Sequence, residues 1–310
     1  MTDTAKISIA LCTYNGEQFL RAQLDSIIAQ SIDSWEVIAV DDGSTDHTWE
    51  VLNDYAAVDG RFKLFRNEKN LGYNGNFQKA LNLCEGEYIA ICDQDDVWHP
   101  DKLKFQLDAI GNSLLVYHDS ELIDAAGSSM NLKISDKFNF YRGSSPEAFL
   151  YLNCVSGHSI LMKNDLVAKA LPFPSNFHYD QWLAFVAAST GSVDFVERVL
   201  VQYRQHQHNT TDILARRKSA RSRDMKLAEL EREAIWIAKC AEKATGNSRQ
   251  LLVRLAALSE SRNRSFAEPR YGIVIWQHRH TLLSLLKKSP VSKLFYIVRK
   301  IWGSKAKKLL

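Results

Sequence analysis

Residues 86–102 read GEYIAICDQDDVWHPDK, a run that predicts a strand, an acidic turn and a helix start in succession. The apolar run Glu87–Cys92 predicts a buried strand, and it ends at Asp93-Gln94-Asp95-Asp96. Pro100 suits a first helical position, which needs no backbone donor. Hard divalent cations prefer carboxylates, and residues i and i+2 of an extended segment point the same way. This segment therefore predicts a Mg²⁺ or Mn²⁺ site at Asp93 and Asp95, although a solvated acidic turn would give the same local sequence.

The chain on either side of this segment alternates short apolar runs with helical patterns. Such alternation predicts an α/β fold, Rossmann-like, with a mostly parallel sheet and helices on both faces. Sheets of this kind bind ligands at the carboxyl ends of their strands. The predicted strands are Ile7–Cys12, Trp35–Val40, Phe62–Phe65, Glu87–Cys92, Leu114–Tyr117 and Phe195–Tyr203.

Two more strand ends carry polar residues suited to a nucleotide. Thr13, Tyr14 and Asn15 supply a hydroxyl, an aromatic face and an amide, which suit stacking on a nucleobase, although turn chemistry explains them equally well. The second strand ends at Asp41-Asp42-Gly43-Ser44, where paired acids can accept hydrogen bonds from a base or a ribose. Asn15 and Ser44 are also expected to cap the helices that follow them.

Two residues further along are candidates for catalysis and metal binding. Asp180 lies at the start of an apolar helical stretch, where a carboxylate can act as general base for a hydroxyl or only as a helix cap. His206 follows the strand Phe195–Tyr203, and it can complete a metal shell, contact a diphosphate or simply be hydrogen-bonded. Local sequence leaves these alternatives open.

Composition and missing motifs narrow the function classes. Of 310 residues, 45% are hydrophobic and 24% charged, as in a folded globular protein. The five cysteines form no CxxC pair and are expected to be reduced. The sequence lacks the GxGxxG, GxxxxGK[ST] and GxSxG motifs and Cys/His zinc spacing, which disfavours dinucleotide oxidoreductases, P-loop NTPases, α/β-hydrolases and zinc sites. No secretory leader and no spanning helix are expected.

Charge divides the chain in two. Residues 1–214 carry 16 Lys+Arg and 29 Asp+Glu, whereas residues 215–310 carry 23 and 7. We therefore expect an α/β domain over residues 1–214 and a basic helical region over residues 215–310. Residues 269–310 hold ten Lys+Arg and no acidic residue. The apolar residues that share one helical face there are Val291, Leu294, Phe295, Val298, Ile301 and Trp302.

These motifs together resemble those of the family 2 glycosyltransferases, which have the GT-A fold. The DQDDVW form is especially similar to that of bacterial rhamnosyltransferases that build cell-surface polysaccharide. The resemblance implies that residues 1–214 form a GT-A catalytic domain. The matching pieces are ISIALCTYNG (7–16), VIAVDDGSTD (37–46), NLG (70–72), GEYIAICDQDDVWHPDK (86–102), HYDQWL (178–183) and QYRQHQHN (202–209).

The resemblance also implies roles for residues at the nucleotide end of the site. It implies that Tyr14 and Asp42 contact the base of a nucleotide-sugar. We expect Thr13, Asn15 and Asn70 to line the same part of the site.

At the reacting end, the resemblance implies that Asp93 and Asp95 form the metal–diphosphate motif. It implies that Asp180 is the catalytic base. His206 matches a histidine that recurs near the end of such domains, and we expect it to join the metal site. Gly157-His158 departs from the family, since many relatives have Gly-Cys at this position.

The function that the resemblance implies is inverting, Mg²⁺- or Mn²⁺-dependent sugar transfer. The donor would be a dTDP- or UDP-sugar, with dTDP-L-rhamnose as the favoured example, and the acceptor a glycan or lipid-linked glycan. The basic tail suits an anionic membrane surface, which would place the enzyme on the cytoplasmic face of the membrane; docking on the acidic half or on a partner protein is the alternative. No nucleic-acid partner is expected. A non-catalytic scaffold that binds nucleotide-sugar or glycan is the second hypothesis.

Overall fold

The computed structural model describes residues 6–207, 209 and 222–307. Backbone packing divides the chain into two compact units. Each unit is made of three segments. The first unit comprises Met1–Asp136, Arg142–Ser144 and Cys154–His206. The second unit comprises Lys137–Tyr141, Ser145–Asn153 and Gln207–Leu310. The expected border between residues 214 and 215 lies outside the described residues. No described helix combines the length and the hydropathy that crossing a bilayer requires.

The first unit is an α/β fold, as predicted, and its described strands form one sheet. They are β1 (Ile7–Thr13), β2 (Trp35–Asp41), β3 (Phe62–Arg66), β4 (Tyr88–Cys92), β5 (Val97–Trp98), β6 (Leu115–Ile123), β7 (Ser129–Lys133), β8 (Leu161–Lys163) and β9 (Val193–Arg204). The order is β3-β2-β1-β4-β8-β6-β9-β5, and β7 pairs with β6. The pairs within β3-β2-β1-β4 are parallel, whereas β8 runs antiparallel to both β4 and β6. The sheet is therefore parallel in its first half and mixed in its second.

Helices cover both faces of the parallel half. The described helices of this unit are α1 (Glu17–Ile28), α2 (Thr48–Val58), α3 (Gly72–Leu83), α4 (Lys102–Ile110), α5 (Asp165–Ala170) and α6 (Tyr179–Thr190). Helices α1 and α2 carry the chain outward from β1 to β3, and α3 carries it back to β4. Because such crossovers are right-handed, this reversal places α3 on the face opposite α1 and α2. Every residue of β2 is buried, as expected for a strand covered on both faces.

The sequence predicts helix caps at Asn15 and Ser44, and both predictions are wrong. Helix α1 begins after Gly16, and α2 begins after His47. Asn15 instead accepts a hydrogen bond from the amide of Thr45 (2.8 Å), and the hydroxyl of Ser44 accepts one from the amide of Asn15 (2.9 Å). These side chains join the loop after β1 to the loop after β2, so a tertiary contact replaces local capping.

The second unit is helical, as the pattern predicts. Its described helices are α7 (Arg223–Lys243), α8 (Gly246–Arg264), α9 (Pro269–Gln277), α10 (Arg279–Leu282), α11 (Pro290–Lys300) and α12 (Ser304–Lys307). Helices α7 and α11 begin at true caps, since the hydroxyls of Ser222 and Ser289 accept hydrogen bonds from the amides three residues on. The core is built where α7 packs along α8 and where α9 packs against α11.

A buried charge cluster ties these helices together. Arg262 is fully buried and donates to Glu233 (2.7 Å), and Lys300 pairs with the same carboxylate. The hydroxyl of Tyr271 also donates to Glu233 (3.1 Å). Burial would raise the pKa of Glu233, but Lys300 and Arg262 outweigh it and lower that pKa to about 2. Four of the helices thus meet at one ionised carboxylate.

Candidate active site

The loops that leave β1, β2 and β4 emerge at one edge of the sheet. These strands are parallel neighbours, and the register pairs Thr13 with Asp41 and Leu11 with Cys92. The amide of Asp42 donates to the carbonyl of Thr13 (2.8 Å), which continues the pairing past the strands. The polar residues that follow each strand in the sequence are therefore neighbours in space.

Gln94 connects the loop after β4 to the loop after β1. Its side-chain oxygen accepts from the amide of Tyr14 (2.8 Å), and its nitrogen donates to the carbonyl of Tyr14 (3.1 Å). A Cβ added at Gly16 would lie 2.2 Å from Gln94 Oε1, so the missing side chain makes room for this contact. The side chain of Tyr14 stays 47% exposed. The backbone is thus fixed while the aromatic ring remains accessible to a ligand.

The Asp42 carboxylate organises the turn before α3. It is buried, and its Oδ1 atom accepts from Asn67 Nδ2 (2.7 Å) and from the amide of Leu71 (2.8 Å). Its Oδ2 atom accepts from the amide of Gly72 (2.9 Å). A carboxylate has about four acceptor positions, and three of those of Asp42 are used within the protein. Asn70 lies against the same residue, with its Nδ2 atom 3.3 Å from the carbonyl oxygen of Asp42.

Thr13 and Asp41 stabilise the loops at this edge of the sheet. Thr13 is 2% exposed, and its hydroxyl donates to Asp41 Oδ1 (3.0 Å). Asp41 is fully buried and also accepts from the amide of Ser44 (3.0 Å). Their side chains are therefore occupied within the protein. Of the first predicted group, Tyr14 has the side chain best placed to meet a ligand.

The acidic turn after β4 brings three aspartates and two histidines together. Asp95 Oδ2 lies 2.8 Å from His206 Nε2. His158 Nδ1 lies 3.8 Å from Asp93 Oδ2 and 3.6 Å from Asp96 Oδ2. The i, i+2 alternation expected for an extended segment stops with β4, so Asp93 faces Asp96 and His158 whereas Asp95 faces His206.

These residues fit a divalent cation. Asp93, Asp96 and His158 offer ligand atoms within 4.8 Å of one another. Asp96 is fully buried, and its Oδ2 atom has no hydrogen-bond partner in the described part of the chain. Partial burial and the charges of Asp95 and Asp180 raise the pKa of Asp93, and full burial raises the pKa of Asp96 well above its usual range. A cation would relieve this crowding, and oxygen and imidazole ligands suit Mg²⁺ and Mn²⁺.

A buried lysine lies behind the acidic turn. Lys102 is fully buried, and its Nζ atom has no hydrogen-bond partner among the residues that the structure describes. It lies 3.6 Å from the ring centroid of Trp98, and burial lowers its pKa to about 7. Burial and the charge of Lys102 together lower the pKa of His158 to about 3. His158 is therefore a neutral imidazole at physiological pH, and its Nε2 atom lies 2.8 Å from the hydroxyl of Ser120.

Asp180 lies in the first turn of α6, within electrostatic reach of Asp93. Its Oδ1 atom accepts from the amide of Gln181 (2.6 Å). Burial raises the pKa of Asp180 to about 7, although backbone hydrogen bonds from Gln181, from Asp180 itself and from Gly157 oppose the rise. Gly157 is needed here because a Cβ would lie 2.0 Å from the Tyr179 hydroxyl. The predicted base therefore stands beside the acidic turn, and its pKa is raised toward neutrality.

Sequence reasoning missed several residues that shape this site. In the sequence, Gln94 is only the residue between Asp93 and Asp95, and nothing predicts its contact with Tyr14. Asp96 is not one of the two aspartates predicted to bind the metal. His158 carries no local signal, because its partners lie about sixty residues away in the chain. Arg204 bonds the carbonyl of Asp95 (2.8 Å), and its amide donates to Asp96 (2.9 Å). Its position before His206 is the one hint that the sequence offers.

Comparison with known proteins relates this chain to glycosyltransferases. Residues 8–164 match the family described as Glycosyl transferase family 2. A Haemophilus influenzae protein named as an uncharacterized glycosyltransferase is 27% identical over 225 residues, which cover 69% of this chain and 69% of that protein. The putative glycosyltransferase EpsH of Bacillus subtilis is 30% identical over 217 residues, 66% of this chain and 62% of that protein. The chain thus spans less than two thirds of the EpsH length.

Solved structures share the fold. The structure of S. aureus TarS 1-349 in complex with UDP-GlcNAc superposes with a TM-score of 0.60 at 17% identity, covering 95% of this chain and 88% of that one. The mannosyltransferase PcManGT from Pyrobaculum calidifontis, in complex with GDP-Man and Mn²⁺, gives 0.53 at 14% identity, covering 99% and 87%. At these identities the likeness bears on the fold, and it agrees with the GT-A architecture expected from the sequence.

Proposed function

Because the chain belongs to glycosyl transferase family 2, we propose that it transfers a sugar from a nucleotide-sugar to a glycan or lipid-linked glycan, in a divalent-metal-dependent reaction that inverts the anomeric carbon. One observation carries the proposal. The acidic turn Asp93–Asp96, the carboxyl group of Asp180 and His206 meet at the edge where β1, β2 and β4 end. That is where open α/β sheets bind their ligands.

The nucleotide would lie on the loops after β1 and β2. The exposed ring of Tyr14 can stack on a base, and such stacking is worth about 1–3 kcal/mol. The fourth acceptor position of Asp42 can take the ring N–H of a uracil or thymine. Thr13, Asn15 and Asn70 would support this part of the site mainly by holding the loops. Similar folds that carry UDP-GlcNAc support a UDP- or dTDP-sugar donor.

A cation that also binds a diphosphate needs ligands that the diphosphate can reach. The side chains of Asp93, Asp95 and His206 are 34%, 13% and 12% exposed, whereas Asp96 and His158 are closed off at 0% and 1%. Although Asp93, Asp96 and His158 hold their ligand atoms within 4.8 Å of one another, we therefore propose the accessible Asp93, Asp95 and His206 as the ligands of Mg²⁺ or Mn²⁺. Asp96 and His158 form its inner wall. A bound cation would neutralise the charge that gathers on the departing nucleoside diphosphate.

Asp180 performs the proton transfer. The acceptor hydroxyl oxygen forms a bond to the anomeric carbon while the bond from that carbon to the diphosphate breaks, with its electron pair, toward the diphosphate. Asp180 takes the proton of the hydroxyl. A single displacement of this kind inverts the anomeric carbon and needs no covalent sugar–enzyme intermediate. A base with a pKa near the working pH is well matched to this task.

The finer assignment is a rhamnosyltransferase of surface-polysaccharide synthesis that uses dTDP-L-rhamnose. The DQDDVW form supports it. The putative teichuronic acid biosynthesis glycosyltransferase TuaG of Bacillus subtilis, 37% identical over 102 residues, supports a role in cell-surface polysaccharide. A lipid-linked acceptor would bring the chain to the cytoplasmic face of the membrane.

A panel of nucleotide-sugars, read by released nucleoside diphosphate with Mn²⁺ or Mg²⁺, tests the proposal. We expect turnover with dTDP-L-rhamnose or a UDP-sugar, and loss of turnover in Asp95→Ala at an unchanged melting temperature. Stabilisation by a nucleotide-sugar without turnover under any acceptor would favour a non-catalytic scaffold instead.

A further inference from the structure

Helix α11 presents an apolar face that no described part of the chain covers. Val291, Leu294, Phe295 and Val298 are 63%, 46%, 64% and 40% exposed. At 3.6 residues per turn these positions fall within about 100° of the helix surface. A contiguous stripe of large apolar side chains marks an interaction site, unlike scattered exposure.

The side of α11 next to this stripe is already used for packing against α9. Ile297 is 4% exposed. A Cβ added at Gly272 of α9 would lie 2.5 Å from Ile301 Cγ2 and 3.5 Å from Ile297 Cγ2, so the two helices approach closely at a glycine. Lys300 anchors the end of α11 on Glu233. The inner side therefore holds the helix in place, and the exposed stripe is an outer surface of the second unit.

Basic side chains flank the stripe. Residues 269–310 contain ten Lys+Arg and no Asp or Glu. Lys287 and Lys288 are exposed just before α11, and Arg299 is exposed in its last turn. Each basic side chain near an anionic lipid surface strengthens binding by about fivefold. The charge around the stripe therefore complements an anionic lipid surface.

Helix α9 adds an aromatic element to the same unit. Ile273 and Trp276 are 53% and 44% exposed, and the Arg279 guanidinium lies 4.3 Å from the Trp276 ring centroid. Tryptophan and arginine are side chains that settle at the level of lipid headgroups, because each combines an apolar body with a polar or charged end.

We infer that the exposed stripe of α11, with Ile273 and Trp276 of α9, docks on an anionic lipid surface. The inference rests on the proposed function, in which a lipid-linked acceptor brings the chain to a membrane. It adds the side chains that would make the contact. An 11-residue helix is about 16 Å long, half of a bilayer core, so it would lie along the surface. A second copy of the chain fits the stripe less well. Pairing two stripes would bring the basic residues beside each stripe together, and residues 269–310 contain no acidic side chain to neutralise them.

Flotation of the full chain with lipid vesicles tests this inference without donor or acceptor. We expect binding to phosphatidylcholine vesicles that contain one third phosphatidylglycerol, weak binding to phosphatidylcholine alone, and release by salt. Phe295→Glu should lower the bound fraction at least about tenfold, because it places a charge at the centre of the apolar stripe. Lys288→Gln combined with Arg299→Gln should weaken binding by about 25-fold at low salt.

Val58→Glu is the matched control, since Val58 is an 83% exposed apolar residue of α2. It should bind vesicles like the wild type. Equal binding by Phe295→Glu and wild type, or no binding of the wild type to anionic vesicles, would overturn the inference. So would a wild-type dimer that Phe295→Glu converts to a monomer in light scattering. Donor binding is measured separately by thermal shift without vesicles, so its failure would bear on the proposed function alone.

Discussion

Among the single side chains of the site, Asp180 owes its chemistry to burial. Its hydrogen-bond donors are backbone amides, and these favour the ionised form. Burial outweighs them and raises the pKa to about 7. A carboxyl of ordinary pKa would be a weaker base, so α6 places Asp180 where removal from water improves its ability to accept a proton.

The raised pKa of Asp180 predicts a pH dependence of catalysis. Only the carboxylate can accept the acceptor proton, so kcat/KM should rise with pH through about 7 and level off above it. Asp180→Asn should lower the rate by about 10²–10⁴ and remove this limb. Initial rates measured on both sides of neutrality check the prediction. A flat wild-type profile, or the same limb in the variant, would show that another group is the base.

The Mn²⁺ affinity of variants at the two site histidines should distinguish the accessible metal ligands from the buried residues behind them. His206→Gln and Asp95→Asn should each weaken Mn²⁺ binding at least about tenfold. His158→Gln should have a smaller effect, because His158 is 1% exposed and lies behind the turn. Electron paramagnetic resonance of unbound Mn²⁺ measures these affinities without turnover. A larger loss in His158→Gln than in His206→Gln would move the ion to the Asp93–Asp96–His158 group.

Single residues could be predicted where chemistry and chain position coincide. Asp93 and Asp95 stand out because they follow a buried strand directly. His158 could not be found in this way, since its closeness to Asp96 depends on how β8 and β4 pair across the sheet. The catalytic role predicted for Asp180 and the metal-binding role predicted for His206 came from the family resemblance. The local sequence around each residue is equally compatible with a purely structural role.

Among the elements, the parallel half of the fold was predictable because each strand is rich in apolar residues and alternates with a helical pattern. Strands β5, β7 and β8 were not predicted. They have two, five and three residues, too few for a periodic pattern. Strands β5 and β8 also pair antiparallel with strands far along the chain, whereas β7 pairs with the preceding strand β6. The predicted caps failed for a related reason, since Asn15 and Ser44 bond to each other's loops.

Removal of the Glu233 carboxylate tests what holds α7, α8, α9 and α11 together. Glu233→Ala should lower the free energy of unfolding by about 3–5 kcal/mol, because Arg262 would keep a fully buried charge, and Lys300 a partly buried one, without their partner. The matched control is Glu242→Ala, which removes an exposed pair with Lys239 worth less than about 1 kcal/mol. Urea unfolding measures both. Similar losses in the two variants would contradict this account.

The ionised state of Glu233 also fixes the sign of a pH effect. Its folded-state pKa is lowered to about 2, so its contribution to stability is present above the usual glutamate pKa. The contribution is lost as pH falls from about 4 toward about 2. The stability difference between wild type and Glu233→Ala should therefore shrink over that range, and an unchanged difference would argue against the ion pair as its source.

The whole molecule combines an acidic half with a basic one, and the sequence already gives this division. The family match covers residues 8–164, all of which lie in the acidic part of the chain. The role of the basic part is inferred from its exposed surface alone. The exposure of the α11 stripe could not be predicted from the sequence. A helical wheel groups Ile301 with Val298, but packing against Gly272 turns Ile301 inward.

Binding of nucleoside diphosphate shows whether the acidic turn after β4 holds a cation that also binds a diphosphate. Titration calorimetry of dTDP and UDP, with and without Mn²⁺, on the wild type and on Asp95→Asn requires neither sugar nor acceptor. We expect Mn²⁺ to tighten the binding of at least one of the two diphosphates about tenfold or more in the wild type. This gain should disappear in Asp95→Asn at an unchanged melting temperature. Equal affinities with and without Mn²⁺, or an undiminished gain in Asp95→Asn, would contradict this expectation.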